Sequence, residues 1–373
     1  QKKMIEIKKI LKKDIPKLLL DNTYWNFSFL TISKHRLLAH YKNPIIEEND
    51  IVFLLAYLDN ELVGYMGLYI DRININNQSE KIGWLSTWWV HPKTKGTGIG
   101  REILNTMYAE NQGKIGISQF TPSAKRVYDK SGYFTTLKES KGIKAVLRSN
   151  LQFVIPTLFP KLNFLKGLSN TIDTVINSIV NIKLYIQKTL LFSKTKHLTI
   201  EYVNHLDNET QNIINTFNKN DISIKDNKFF EWLKAYNWVQ KAPILELTNK
   251  NEYEFSIYDT EFEFSLMKIS NKTECIGFIV LQKRNYVCKV LFSYFNNSKN
   301  TIDVSNIIKL QAIHQNTREI ICYDDSICNN LKKSSIFLYK TKKIKQSIIS
   351  KEYNVTDFSN VRMNFGDGDC SFA

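Results

Sequence analysis

Between Val90 and Arg101 the chain reads Val-His-Pro-Lys-Thr-Lys-Gly-Thr-Gly-Ile-Gly-Arg, with glycine at 96, 98 and 100. Glycine has no Cβ, so its backbone takes positive φ and a large anion can rest directly on the amides. An apolar run ending in Trp88, Trp89 and Val90 precedes this loop, and Glu102 to Tyr108 comes after it with the composition of a helix. The first turn of a helix offers N–H groups without intrahelical acceptors, at the positive end of its dipole. Strand, glycine loop and helix together form a receptor for phosphate or diphosphate, and Lys95 and Arg101 add full charges beside it.

Spacing separates the kinds of loop that do this. A Walker loop ends in Gly-Lys-Ser/Thr, which Lys95-Gly96-Thr97-Gly98 does not supply. A dinucleotide fingerprint needs its last glycine three residues after the second and an acid about twenty residues further on. Here the last two glycines are two apart, and the chain near 120 reads Gln119-Phe120-Thr121-Pro122.

The segment Lys95-Gly96-Thr97-Gly98-Ile99-Gly100 resembles the acyl-CoA loop of the GNAT acyltransferase superfamily, with Lys95 where that pattern has Arg or Gln. Ala124-Lys125-Arg126-Val127-Tyr128-Asp129-Lys130-Ser131-Gly132-Tyr133-Phe134 resembles the same family's second signature, Ala-x-x-apolar-Tyr-x-x-x-Gly-aromatic. The resemblance covers about residues 1–150. It implies that acetyl-CoA is held by the backbone from Lys95 through Gly96, Thr97, Gly98, Ile99 and Gly100 to Arg101. It also implies that Trp88, Trp89 and Val90 run beside the pantetheine arm. Tyr128 takes the family's place for a hydroxyl that serves the departing thiolate.

The reaction so implied moves an acetyl group from acetyl-CoA to a primary amine, without a covalent protein intermediate. Many relatives carry a Glu on the strand before the loop, yet Trp84-Leu85-Ser86-Thr87-Trp88-Trp89 has no carboxylate. A water held by Ser86 or Thr87, a carboxylate from elsewhere, or a weakly basic acceptor would each answer that lack. Amino sugars fit the last case, and Trp25, Trp84 and Trp88 suit stacking on a sugar face, although core packing explains them as well. An amino sugar of a surface-polysaccharide pathway is therefore one acceptor class. Another small amine or amino acid, or a non-catalytic protein that binds acetyl-CoA as a regulatory ligand, are the alternatives.

The elements that must position these residues follow the GNAT order. A first strand at Met4 to Ile10 leads to a helix begun by Asp14 and Pro16, an aromatic stretch, and a helix through His40. His35 and His40 read as surface or boundary residues of that helix. A hairpin at Ile51 to Leu58 and Leu62 to Ile70, a polar loop, and the strand Ile82 to Val90 come next. The expected fold is α/β with a mixed sheet over 1–150, then a basic amphipathic connector over 151–196, then a second, degenerate GNAT-like domain over 197–373. Glu274-Cys275-Ile276-Gly277-Phe278 echoes Glu61-Leu62-Val63-Gly64-Tyr65, and Phe229 to Leu233 echoes the early aromatic helix. Where the first domain has its glycine loop, the second has Asn296-Asn297-Ser298-Lys299-Asn300-Thr301, so no CoA site is expected there.

Composition bounds the rest. The net charge is +15, but nine Lys or Arg against the single acid Asp173 between residues 140 and 200 supply +8 of it, and no Arg-aromatic patch suggests nucleic acid. The connector can pack between domains or lie on an anionic membrane over 151–192; its sparse Lys pattern favours packing. Cys275, Cys288, Cys322, Cys328 and Cys370 lack the paired spacing of a zinc site, and no metal is expected. No bilayer-length apolar run and no export signal are evident, which leads to the expectation of a cytoplasmic protein. The tail with Asp367 and Asp369 is too short for an EF-hand loop and reads as a turn-rich terminus able to return two carboxylates to a cleft.

Overall fold

Apolar runs that are β-branched and aromatic become strands here, and those with a period near 3.6 become helices. The computed structural model describes residues 4–21, 32, 34–76, 78–236, 261–353 and 356–371. They form two compact units: Gln1–Ser140 with Lys219–Thr260 and Lys345–Ala373, and Lys141–Asn218 with Glu261–Ile344. These units do not follow the division at 150 and 196 suggested by the sequence. The end of the chain returns to the first unit, and the 151–196 segment belongs to the second.

In the first unit β1 (Ile5–Leu11), α1 (Ile15–Leu19), α2 (Lys34–Tyr41), β2 (Ile51–Leu58), β3 (Glu61–Ile75) and β4 (Gln78–Val90) succeed one another. The strands form an antiparallel meander. Asp59 and Asn60 link β2 to β3 with φ of 49° and 67°, the turn whose twist matches the flanking strands. The expected polar loop after Ile70 is instead a continuation of β3 and β4, paired as far as Ile75 and Gln78. Asp14 does not cap α1; its carboxylate accepts the Leu11 N–H at 3.0 Å.

Next come α3 (Ile99–Glu110), β5 (Ile115–Ile117), α4 (Pro122–Ser131) and the start of β6 (Phe134–Val146). β5 lies parallel to β4. Helix α3 buries Ile99, Ile103, Leu104 and Met107. It packs so closely that a Cβ on Gly64 would stand 3.0 Å from the Trp89 carbonyl and 3.2 Å from Ile103 Cδ1.

The second unit carries α5 (Leu151–Leu158), α6 (Lys166–Thr195), β7 (Leu198–Tyr202) and α7 (Asn208–Phe217). Helix α8 (Asn227–Ala235), which the sequence places in a second domain, lies in the first unit. Its Trp232 stacks on Tyr69 and bonds the Ala39 carbonyl. β8 (Phe262–Asn271), β9 (Glu274–Arg284), β10 (Val287–Phe295), α9 (Asn297–His314), β11 (Glu319–Cys322) and α10 (Asp325–Lys333) complete the second unit. β8, β9 and β10 are antiparallel, and β11 is parallel to β10. β12 (Tyr339–Ser350) ends in the first unit, where Ile348 and Ile349 pair with β5.

Each unit is thus a mixed sheet with helices. Gly277 repeats the place of Gly64: a Cβ there would lie 3.2 Å from Phe295 and 3.8 Å from Val304 of the succeeding helix. The helix termini differ. Asn296 caps α9 by accepting the Ser298 N–H at 3.1 Å, whereas α3 begins at Gly98 with no side-chain cap.

Candidate functional site

Strands β4 and β5 pair only at Gly83 with Ile115 and Trp84 with Gly116. Beyond that, β5 stops while β4 continues to Val90, so the strands part. No strand among the described residues pairs with this side of β4 past Trp84, leaving an edge whose backbone can meet an extended ligand. At the parting β4 carries a bulge. Met66 faces Trp88 and Gly67 faces Ser86, so Thr87 is the extra residue. Thr87 has φ of 35°, a strained conformation for a β-branched residue. Gly67 permits it, since a Cβ there would meet Thr87 Oγ1 at 2.8 Å.

A cleft of about 670 Å³ opens from this edge, lined by Val90, the 91–101 loop and residues Val127, Lys130 and Ser131 of α4. Gly96 and Gly98 both have φ of 85°, and a Cβ on either would touch nothing within 4 Å. Packing therefore does not require glycine at these two positions; the backbone conformation and the open space above it do. Thr94 and Thr97 brace the loop through hydroxyl bonds to the His91 and Thr94 carbonyls, each 2.7 Å. Lys95 and Arg101 are exposed and make no ion pair among the described residues. Exposed cations, uncapped helix amides and glycines facing empty space suit a diphosphate; of the residues expected to hold CoA, Val90, Lys95, Gly96, Gly98, Ile99, Gly100 and Arg101 line this cleft, while Trp88, Trp89 and Thr97 are not among its lining.

Tyr128 is 4% exposed on α4, whose N-cap Thr121 accepts the Ala124 N–H. Its ring lies 5.4 Å from Trp88, 5.5 Å from Phe134 and 6.1 Å from Phe120. The hydroxyl makes no hydrogen bond among the described residues. Burial first, and the charge of Asp369 second, push its pKa well above the ordinary phenol value, so it stays protonated.

Asp369 comes from the tail. Ser118, just past the end of β5, donates its hydroxyl to Asp369 Oδ1. Gly368 makes this approach feasible, with φ of 69° and a would-be Cβ 2.5 Å from Ser118. Asp369 is half-buried. Burial raises its pKa, while Ser118, Arg36 and Lys345 pull it down. Arg36 in turn donates to Ser86 Oγ at 2.6 Å. Behind it, the Lys225 ammonium contacts Asp71 at 2.7 Å with both side chains buried. Asp367 is fully buried, takes the Asn364 N–H on Oδ2, and leaves Oδ1 without a partner among the described residues. Burial pushes its pKa up to about 7.

The other expected acceptor residues divide. Trp84 is fully buried, with its ring against Gly116 and Gly368, so it packs the core and offers no face to a sugar. Trp88 is half-buried beside Tyr128, and its Nε1 has no partner among the described residues. Ser86 is buried and engaged by Arg36; Thr87 forms the bulge. Trp25 lies outside the described residues. His40 is 3% exposed, not a surface residue. Burial and Arg36 hold its pKa well below the usual imidazole value. Sequence reasoning left Arg36 and Ser118 unnoticed, because nothing local links either to residue 369. Among the described residues no cluster of His, Cys, Asp and Glu could hold a metal ion, and no helix is long and apolar enough to cross a membrane.

Residues 17–133 match the sequence profile of the Acetyltransferase (GNAT) family. An aminoglycoside N(6')-acetyltransferase type 1 from Stenotrophomonas maltophilia is 29% identical over 73 residues, 19% of this chain and 48% of that enzyme. The match thus spans about half the relative's length. A GCN5-related N-acetyltransferase from Kribbella flavida aligns over 93% of this chain and 71% of its own, with 8% identity and a TM-score of 0.46. One from Anabaena variabilis aligns over 92% and 72%, with 9% identity and a TM-score of 0.47. By sequence profile, the segment 17–133 belongs to the GNAT acetyltransferase family.

Proposed function

We propose that this protein is an N-acetyltransferase that moves an acetyl group from acetyl-CoA to a primary amine. The observation that carries the reading is the uncapped start of α3, where Gly96 and Gly98 face open space between Lys95 and Arg101. The loop amides and these two cations hold the diphosphate of the donor, and the free edge of β4 from Trp88 to Val90 runs beside its arm. Acetyl-CoA supplies the activated thioester.

A nitrogen–carbon bond forms as the carbon–sulfur bond breaks. An ordinary thiol has a pKa near 8.5, below that of the Tyr128 phenol, so Tyr128 stabilises the departing thiolate by donating a hydrogen bond rather than by giving up its proton outright. The acceptor must arrive without its ammonium proton. The base we assign is Asp369, whose Oδ1 is oriented by Ser118 just past the end of β5, and it takes that proton. The strand before the loop has no acid, and the tail supplies one.

The acceptor class we favour is a polar amino sugar, since one curated relative is an aminoglycoside acetyltransferase and half-buried Trp88 flanks the phenol. Nucleotide-linked amino sugars of surface-polysaccharide pathways belong to this class. The second unit, whose corresponding helix is capped by Asn296, is read as a degenerate GNAT-like domain that binds no CoA. Thiol release from acetyl-CoA with a panel of amino sugars, nucleotide amino sugars, amino acids and polyamines tests the reading. Turnover with amino acids or polyamines alone would move the acceptor class; binding of acetyl-CoA with no turnover across the panel would make the protein a regulatory binder.

A further inference from the structure

Helix α6 of the second unit has two apolar faces. One, with Val180, Leu184 and Leu191, is buried in the unit's core. The other faces outward: Leu168, Ile172, Val175, Ile179, Ile182, Ile186 and Leu190 are 39–68% exposed. From Leu168 to Ile186 their spacing is four, three, four, three and four, the heptad alternation of a helix-pairing seam, and Leu190 lies four residues further on. Ile172, Ile179 and Ile186 occupy one seam position and Leu168, Val175 and Ile182 the other. At about 100° per residue these seven residues span about 80°, and Tyr185 and Phe192, 73% and 65% exposed, extend the apolar face on one side.

The polar residues beside the stripe spend their hydroxyl protons within the helix. Thr171, Thr174, Ser178 and Thr189 each donate their hydroxyl to the carbonyl four residues back in the same helix. Helix α6 carries a single acid, Asp173, which is 1% exposed and spent on Ser149 and the N–H groups of Leu151 and Gln152.

We propose that this stripe is a self-association seam, on which α6 of a second copy of this chain packs. The seven residues present on the order of 600–700 Å² of apolar surface, above the few hundred Å² a monomer commonly leaves as a patch. That approaches the roughly 800 Å² per partner of a stable interface. Charge distinguishes a second copy from an anionic lipid surface. Lipid would be met by lysines along both borders, but one border here carries the hydroxyls of Thr171, Ser178 and Thr189. On the other border lie Lys183 and Lys194, and Lys183 is bonded to the Ser335 carbonyl at 2.9 Å. A second copy meets apolar side chains and self-satisfied hydroxyls, despite the chain's positive charge.

Analytical ultracentrifugation of the full chain tests this, with the Ile179→Lys and Ile182→Lys variants and with flotation on vesicles containing phosphatidylserine. The wild type is expected at twice the 43.6 kDa chain mass. Each lysine variant should weaken association by on the order of a hundredfold, with acetyl-CoA binding unchanged because both residues are solvent-facing. A monomeric wild type at all concentrations overturns the proposal. So does a dimer indifferent to both substitutions, and so does flotation of a monomer that the lysine variants abolish, which would assign the stripe to lipid.

Discussion

Replacing Gly98 by alanine separates a glycine kept for a ligand from one kept for the fold. In the free protein the new Cβ would meet nothing within 4 Å, so the cost is that of holding an L-residue at φ of 85°, about 1 kcal/mol. For a domain of this size that lowers Tm by about 2–4 °C. The same methyl projects into the space where we place the diphosphate. If it displaces two charge-assisted hydrogen bonds between phosphate and loop amides, the loss is about 3 kcal/mol, on the order of a hundredfold in Kd. Gly132 provides the matched control, with φ of 74°, an equally empty surround and the position after α4. Calorimetric titration of acetyl-CoA into both variants, beside their thermal melts, gives the comparison. Equal losses of stability with a large loss of affinity only in Gly98→Ala are expected. Affinities that fall together, or that do not fall, would refute the placement of the diphosphate.

Tyr128→Phe should reduce kcat by on the order of a hundredfold or more, with KM for acetyl-CoA nearly unchanged and no loss in thermal stability, since the hydroxyl lacks a protein partner; steady-state kinetics and a melt check both. Asp369→Asn should lower kcat/KM for the amine while sparing acetyl-CoA affinity. Burial raises the Asp369 pKa, so wild-type activity should fall as pH drops through a value above the usual carboxylate range. The Asn variant should lose that limb and recover only as the free amine deprotonates at higher pH. Asp367→Asn bears on stability. The folded pKa of about 7 lies above the unfolded value near 3.9. Asp367 therefore favours the folded state below the unfolded value and loses that contribution as pH rises through about 7. The variant should then be more stable than wild type at pH 8 by on the order of 2–4 kcal/mol, and little changed at pH 4, as denaturant titrations at the two values would report.

What the sequence made legible is what local chemistry dictates. Glycines at 96 and 98, a strand before them and a helix after them appear together because positive φ and helix amides are properties of neighbours in the chain. The hairpin of β2 and β3 was readable for the same reason. Trp84 was not: Trp84 and Trp88 lie on one strand four residues apart, but the bulge at Thr87 re-aims the side chains beyond it, leaving the first tryptophan in the core and the second beside Tyr128. The unit boundaries were equally hidden. Apolar spacing in α6 announces an amphipathic helix, but only the fold shows that Val180, Leu184 and Leu191 lie in the second unit's core while a second apolar stripe remains in solvent.

The strand before the loop lacks an acid, and that absence is informative once the tail is in place. A carboxylate on β4 near the bulge would share the space that Arg36 takes in reaching Ser86. The chain instead brings Asp369 in from 251 residues beyond Ser118, on a turn that works only because Gly368 has no side chain. Two substitutions separate tail docking from the acid itself. Gly368→Ala should push the tail off Ser118 and lower turnover even though Asp369 is intact. Ser118→Ala should leave the tail packed through Asn364 and its 2.9 Å bond to Asp221, yet remove a donor that holds the Asp369 carboxylate in its charged form and so raise its pKa further. A pH–rate profile unchanged in Ser118→Ala, alongside full activity in Gly368→Ala, would mean that the tail only covers the sheet and that the acceptor's proton leaves by another route.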